Sequence, residues 1–245
     1  MWLLSLSSTA RSLSSTPSNV RTLVLVRHGA VDREAAGVPK DALYGGDIDV
    51  PLSLRGEAEA RAAAAFVART YDVQSVWSSP LSRAVFGAER IAEEAGIEEK
   101  VISREAFREI KRGDWVRKTP EDIEALSPGA LRLSVEDPTF RPPGGESILD
   151  VQKRALKALQ SDILPSIDPG RAAVLVSHLY VTRSLLAFAL PDTPIATIKV
   201  PTASVSTLRF HEDKAFANPH VTLQGFKPDL NPQDEKNLPK GDAET

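Results

Sequence analysis

The chain has 245 residues, 42% of them hydrophobic and 26% charged, which suits one folded domain with or without tails and argues against a disordered or fibrous protein. A net charge of −3 provides no global basic field for nucleic acid, so an anion site has to be a local cationic pocket. The absence of cysteine excludes disulfides, thiolate nucleophiles and cysteine-based zinc sites, and leaves His28, His178, His211 and His220 as the imidazoles.

Residues 1–21 are rich in Ser, carry Arg11 and Arg21 and contain no acid. That is the composition of an organelle transit peptide, with a disordered N-terminal extension as the alternative. The folded body is expected over 22–226. It opens with "TLVLV" (22–26), which reads as a fully buried strand. From Ser53 an Ala-rich stretch reads as a helix capped by that serine. "VQSVW" (73–77) is a second strand, and the helix after it is expected to have Ser79 as N-cap, Pro80 at its first position and Gly96 as terminator. A strand near "VIS", a short helix from Thr119 and a longer one after "GGES" follow. "AAVLVS" (172–177) is a buried strand that leads into a helix over about 180–190, and "ASVSTLRF" (203–210) alternates like a less buried strand. Residues 227–245 are polar and proline-containing and read as a disordered, solvated tail. No apolar run approaches the ~20 residues that span a bilayer. A soluble protein is expected, in the mitochondrion or plastid if the leader is a transit peptide and otherwise in the cytoplasm.

Strands alternating with helices predict an α/β fold, a three-layer α/β/α sandwich around a mainly parallel sheet. In such sheets ligands collect beyond the carboxyl ends of the strands. Arg27 and His28 end the first strand, Arg83 sits in the first turn of the helix after "VWSSP", and His178 ends the strand "VLVS". Paired guanidinium groups match the geometry and charge of phosphate. The same charges disfavour a proton on His28, and a neutral imidazole facing a charge-neutralised phosphate is a nucleophile whose product is a phosphohistidine. The departing oxygen then needs a proton. Of Glu105, Glu109 and Asp114 in the loop after "VIS", Glu109, framed by Phe107 and Ile110, is the candidate general acid.

Five stretches together resemble the histidine phosphatase superfamily, the phosphoglycerate-mutase-like clan: "LVRHG" (25–29), "SSPLSRA" (78–84), "REIKRGDW" (108–115), "PPGGES" (142–147) and "VSHLYVTRSLL" (176–186). The resemblance implies the same sandwich, His28 as phosphorylated nucleophile, Arg27, Arg83 and His178 in the phosphate pocket, Glu109 as proton donor, and no metal or other cofactor. Gly29 and Leu179 join the phosphate site, Leu179 through a backbone N–H that is independent of its side chain. "YGGDIDVPLSLRG" (44–56) resembles a further family block and reads as loop packing. Glu146 and Ser147 of "GGES" are expected to cap the following helix. Departures from the family pattern are Val31 and Glu34, where a polar residue and an asparagine are usual, and Leu179 and Tyr180, where glycines are usual.

The segment between Glu109 and His178 is shorter than in the mutases of the clan, which carry a covering insert. An open site admits water, so a phosphatase is favoured over a phosphoglycerate-type mutase. A non-catalytic docking module and a metal site built on His28 and His178 are the other readings; Arg27 and Arg83 would repel the cation. Arg33, Tyr44, Lys111, Arg112 and Tyr180 are expected at the substrate rim, and the basic ones suggest a second anionic group on a small phosphorylated metabolite. Neither nucleic acid nor membrane is an expected partner, the oligomeric state is not legible, and His211 and His220 are assigned to the surface.

Overall fold

The computed structural model describes residues 19–211 and 219–238, so residues 1–18 of the expected leader and 239–245 of the expected tail lie outside it. Six strands form one sheet in the order β3-β2-β4-β1-β5-β6. The strands are β1 (Val20–Arg27), β2 (Val73–Ser78), β3 (Ile102–Ser103), β4 (Ala172–Ser177), β5 (Val205–His211) and β6 (His220–Phe226). The first four run parallel, and β5 lies antiparallel between β1 and β6.

The period-two pattern of β1 explains the layers. Leu23 and Leu25 pack on one face against Val151 and Ala155 of α5 (Ile148–Ala158) and Val181 and Leu185 of α6 (Leu179–Ala189). Val24 and Val26 pack on the other against Ala63, Ala64 and Val67 of α1 (Leu54–Thr70) and Ala84, Ala88 and Ile91 of α2 (Ser82–Ala95). Helices on both faces of a mainly parallel sheet make the expected α/β/α sandwich. Two short helices, α3 (Pro120–Leu126) and α4 (Ala130–Glu136), pack through Ile123 and Ala130 on Trp115 to one side. No helix of the described residues is long and apolar enough to cross a membrane.

Several boundaries differ from the sequence reading. β1 begins at Val20, which is buried and paired with His211, two residues inside the expected leader. β5 is buried rather than half-exposed. Its alternating pattern suggested a less buried strand, yet Thr207 Oγ1 meets the Tyr71 hydroxyl at 2.7 Å and Ser206 Oγ accepts the Gly225 N–H at 2.9 Å. Small hydroxyls so satisfied can be buried at little cost. β6 is a further strand, and the expected tail opens with Lys227 bonded to Glu59 and then forms a short helix, α7 (Pro232–Asn237), capped by Asn231.

Ser79 is not the cap of α2. The helix starts at Ser82, and its first N–H is capped from a distance: Asp49 accepts Ser82 N–H and Oγ–H at 2.9–3.1 Å. Thr119 and Ser147 do cap their helices, each in a reciprocal box with the aspartate three residues on. Glu146 is not a cap and pairs with Arg154 instead.

Candidate active site

β1 and β4 are paired in parallel with Arg27 opposite Ser177. The next residue on each strand is a histidine, and His28 N–H continues the ladder to the Ser177 carbonyl at 3.0 Å. Register alone therefore brings the two imidazoles together, with ring centroids 5.1 Å apart and planes at 59°. Both are buried, His28 at 4% and His178 at 0% exposure.

Hydrogen bonds fix the tautomers. His28 Nδ1 lies 2.7 Å from the Gly29 carbonyl oxygen, which can only accept, so Nδ1 carries the proton and Nε2 the lone pair. His178 Nε2 lies 2.7 Å from Ser79 Oγ, which already accepts the Leu81 N–H. Among the described residues Ser79 Oγ has no other acceptor for its proton, so donation to Nε2 satisfies the hydroxyl and puts the imidazole proton on Nδ1, a buried atom without a protein partner. The pair thus offers one lone pair and one N–H donor. Burial is the main force holding His28 well below the ordinary imidazole range, with the Arg83 and Arg27 charges second. The sequence reading credited the arginines; desolvation leads. For His178 burial again comes first, followed by Arg83, His28 and Arg27.

Arg83, at 0% exposure, is held from behind by the carbonyls of Gly45, Ile48 and Val50 at 3.2–3.5 Å, with Asp49 at 3.8 Å. Arg27 donates to the Val200 carbonyl at 2.8 Å. The Nε atoms of both arginines are buried and unpartnered. Burial lowers both guanidinium pKa values, while Glu109 pulls the other way, so both stay charged at neutral pH.

Glu109 is 8% exposed and borders the same cavity. Its Oε1 accepts Ile110 N–H at 2.9 Å and Tyr180 N–H at 3.2 Å, which ties the loop to the first turn of α6. Three devices hold that loop. A Cβ at Gly45 or Gly46 would overlap the carbonyl oxygens of Ile110 or Glu109, so only glycine lets "YGG" lie against it. Arg154 of α5 donates to the carbonyls of Ala106 (2.7 Å) and Glu109 (3.3 Å). Glu146 grips Arg154 through both oxygens and accepts Lys111 N–H.

The cavity has two lobes that share Arg27, His28, Arg33 and Tyr44. The smaller, about 200 Å³, adds Arg83, Glu109, Arg112, Leu179 and Tyr180. The larger, about 410 Å³, passes Gly29 and Val31 toward Lys40, Asp41 and Thr202. Arg33 and Arg112 lie over the rings of Tyr44 and Tyr180, each 4.9 Å from the centroid. Every expected site residue but Lys111 borders a lobe or, like His178, lies directly beneath it. Lys111 is exposed and borders neither, a correction that follows from its backbone being tied to Glu146. Val31 pairs with Leu52 in a bridge that closes the loop after His28 onto the start of α1. His211 is half-buried and His220 exposed, and their rings meet edge to face at 5.7 Å, far from this cavity's lining. Sequence reasoning missed Ser79, Glu59, Glu146 and Arg154 as supports, because each acts on a segment distant in the chain.

Among the described residues no three His, Asp or Glu side chains gather as a metal site. The profile of the histidine phosphatase superfamily (branch 1) matches residues 23–220. A glucosyl-3-phosphoglycerate phosphatase of Mycobacterium tuberculosis is 34% identical over 183 residues, covering 72% of this chain and 78% of its own. A 2,3-bisphosphoglycerate-dependent phosphoglycerate mutase of Methylobacterium radiotolerans is 30% identical over 212 residues, covering 83% and 96%. The solved structure of a mycobacterial glucosyl-3-phosphoglycerate phosphatase superposes with a TM-score of 0.72 at 30% identity, over 84% of this chain and 99% of that one. That protein has also been solved with inorganic phosphate. The fold, the paired histidines and these similarities agree: the chain belongs to the histidine phosphatase superfamily, among relatives that are phosphatases and phosphoglycerate mutases.

Proposed function

We propose that this protein is a metal-independent phosphatase that hydrolyses a phosphate monoester through a phosphohistidine on His28. The observation that carries the reading is the His28 Nδ1 bond to its neighbour's carbonyl, which leaves a neutral Nε2 lone pair beside the buried guanidinium of Arg83 and the half-buried one of Arg27. Nε2 attacks phosphorus while the bond to the ester oxygen breaks, and that oxygen takes a proton from Glu109. Arg27, Arg83 and the Nδ1–H of His178 hold the three equatorial oxygens, with backbone N–H groups at Gly29 and Leu179 completing the site. A water then gives its proton to the Glu109 carboxylate and attacks phosphorus, the P–N bond breaks and the imidazole is restored.

Glu109 borders the smaller lobe, so the leaving group occupies that side, where Arg112 and Arg33 suit a second anionic group. The substrate is accordingly a small phosphorylated metabolite with a carboxylate or second phosphate.

A panel of phosphate esters, assayed for phosphate release with wild-type and His28→Ala protein in a chelator, tests the reading. Expected are turnover unaffected by chelator, greatest on esters with a second anion, and an alkali-stable phosphohistidine that disappears in the variant. Turnover surviving the substitution, or lost to the chelator, overturns it. Isomerisation of phosphoglycerate faster than phosphate release would favour the mutase reading, which the 30% identical mutase keeps in view.

A further inference from the structure

Glu59 of α1 has no part in the chemistry above, yet its carboxylate sits at 2% exposure. Oε2 accepts the N–H of Ala30, two residues past His28, at 2.9 Å. Oε1 accepts from Lys227 Nζ at 3.0 Å and Arg55 Nε at 3.3 Å. An ionised carboxylate so removed from water is costly unless cations match it and its lone pairs are used, and here both conditions hold.

Lys227 is the first residue after β6 and beyond the span matched by the family profile. Its Nζ is also 3.5 Å from Thr202 Oγ1. Thr202 lines the larger lobe and precedes Ala203, whose backbone sits at φ 53° with its N–H on the His28 carbonyl at 3.0 Å. A Cβ at Gly29 would overlap the Gly56 carbonyl, and one at Gly56 the Ala30 carbonyl, so α1 and residues 28–30 also touch backbone to backbone. Two distant segments, α1 and the 201–203 turn, thus meet the backbone of His28–Ala30, and Lys227 ties both of them to the chain after β6.

We propose that Glu59 and Lys227 are positioning residues: their ion pair, buried on the carboxylate side, fixes the loop that carries His28, so Lys227 after β6 is required for full turnover. The inference rests on His28 being the nucleophile. Without Lys227 the Glu59 carboxylate is drawn toward water and takes the Ala30 N–H with it, tilting the imidazole away from phosphorus.

The test uses the full chain with Lys227→Met, Lys227→Arg, Glu59→Gln and the double variant Glu59→Gln/Lys227→Met. The measurements are kcat, KM, the single-turnover rate of phosphohistidine formation, and Tm. Lys227→Met should lower kcat and the phosphorylation rate about ten-fold with KM changed less than about two-fold, and Lys227→Arg should recover most of the loss. Glu59→Gln keeps an acceptor for Ala30 and needs no counter-ion, so adding Lys227→Met to it should cost nothing further. Wild-type kcat in Lys227→Met, additive losses in the double variant, or a change in Tm alone each overturn the proposal. If Lys227→Met does not fold, the comparison of Glu59→Gln with the double variant decides by the same rule. Should His28→Ala retain turnover, the proposed function fails; His28→Ala inactive with Lys227→Met fully active sinks the positioning role alone.

Discussion

The two ends of the cavity are built by different means. At the phosphate end, His28 and His178 each follow a paired strand residue, and the ladder between β1 and β4 sets their separation. At the rim, Arg33, Tyr44 and Arg112 stand on loops, and Tyr180 in the first turn of α6. Those loops are located by glycine contacts such as Gly45 on Ile110 and by the Arg154–Glu146 grip. A ladder bond cannot be moved without moving the sheet, whereas a loop can change its side chains and leave the sheet intact. On the proposed mechanism the contrast puts the attacking imidazole at a strand end, and the proton donor Glu109 and the choice of leaving group on the loops.

Substitution at the strand end should cost most. His28→Ala is expected to lower phosphate release by about 10⁴-fold or more with the fold unchanged by circular dichroism. Glu109→Gln comes next, at about 10²–10³-fold on an alkyl phosphate. A nitrophenyl phosphate, whose leaving group needs no proton, should lose less than about ten-fold; equal losses on the two esters would remove Glu109 from the proton-donor role. At the rim, Arg33→Ala and Arg112→Ala should each raise KM about ten-fold for a doubly anionic ester and leave kcat nearly unchanged. A rim substitution that lowered kcat as far as Glu109→Gln would erase the contrast.

The smallest effect is on stability. Burial, with the nearby arginines, keeps both site histidines neutral in the fold. Unfolded, each titrates near ~6.5, so the unfolded chain takes up protons that the native state refuses as pH falls below that value. Their stabilising contribution is fully present above pH ~6.5 and is lost progressively as pH falls below it, until the lowered folded pKa is reached. Urea unfolding of wild type and His28→Ala across this range should give the shallower slope in the variant.

The layers and the strand-end residues were legible because they depend on local pattern: an apolar run followed by Arg-His, or by Ser-His, announces itself within a few residues. The supports were not. Asp49 caps a helix that starts at Ser82, Ser79 sets the tautomer of His178, and Glu59 reaches Lys227. Each bond joins segments that only the completed fold brings together. β5 misled for a related reason, since whether Ser206 and Thr207 meet water or a partner depends on Tyr71 and Gly225, which lie far along the chain. Lys111 and Arg112 are adjacent and alike in sequence, and tethering of the loop backbone at Glu146 and Asp47 separates one from the cavity that the other lines.

On the proposed mechanism the pairing of Arg27 with Ser177 also ties catalysis to folding. A slip of one residue between these strands would turn one imidazole to the opposite face, so no partly docked arrangement can be partly active. During chemical denaturation, loss of turnover and undocking of β4 should therefore coincide, and a simple colorimetric assay would serve as a reporter of whether the centre of the sheet is closed.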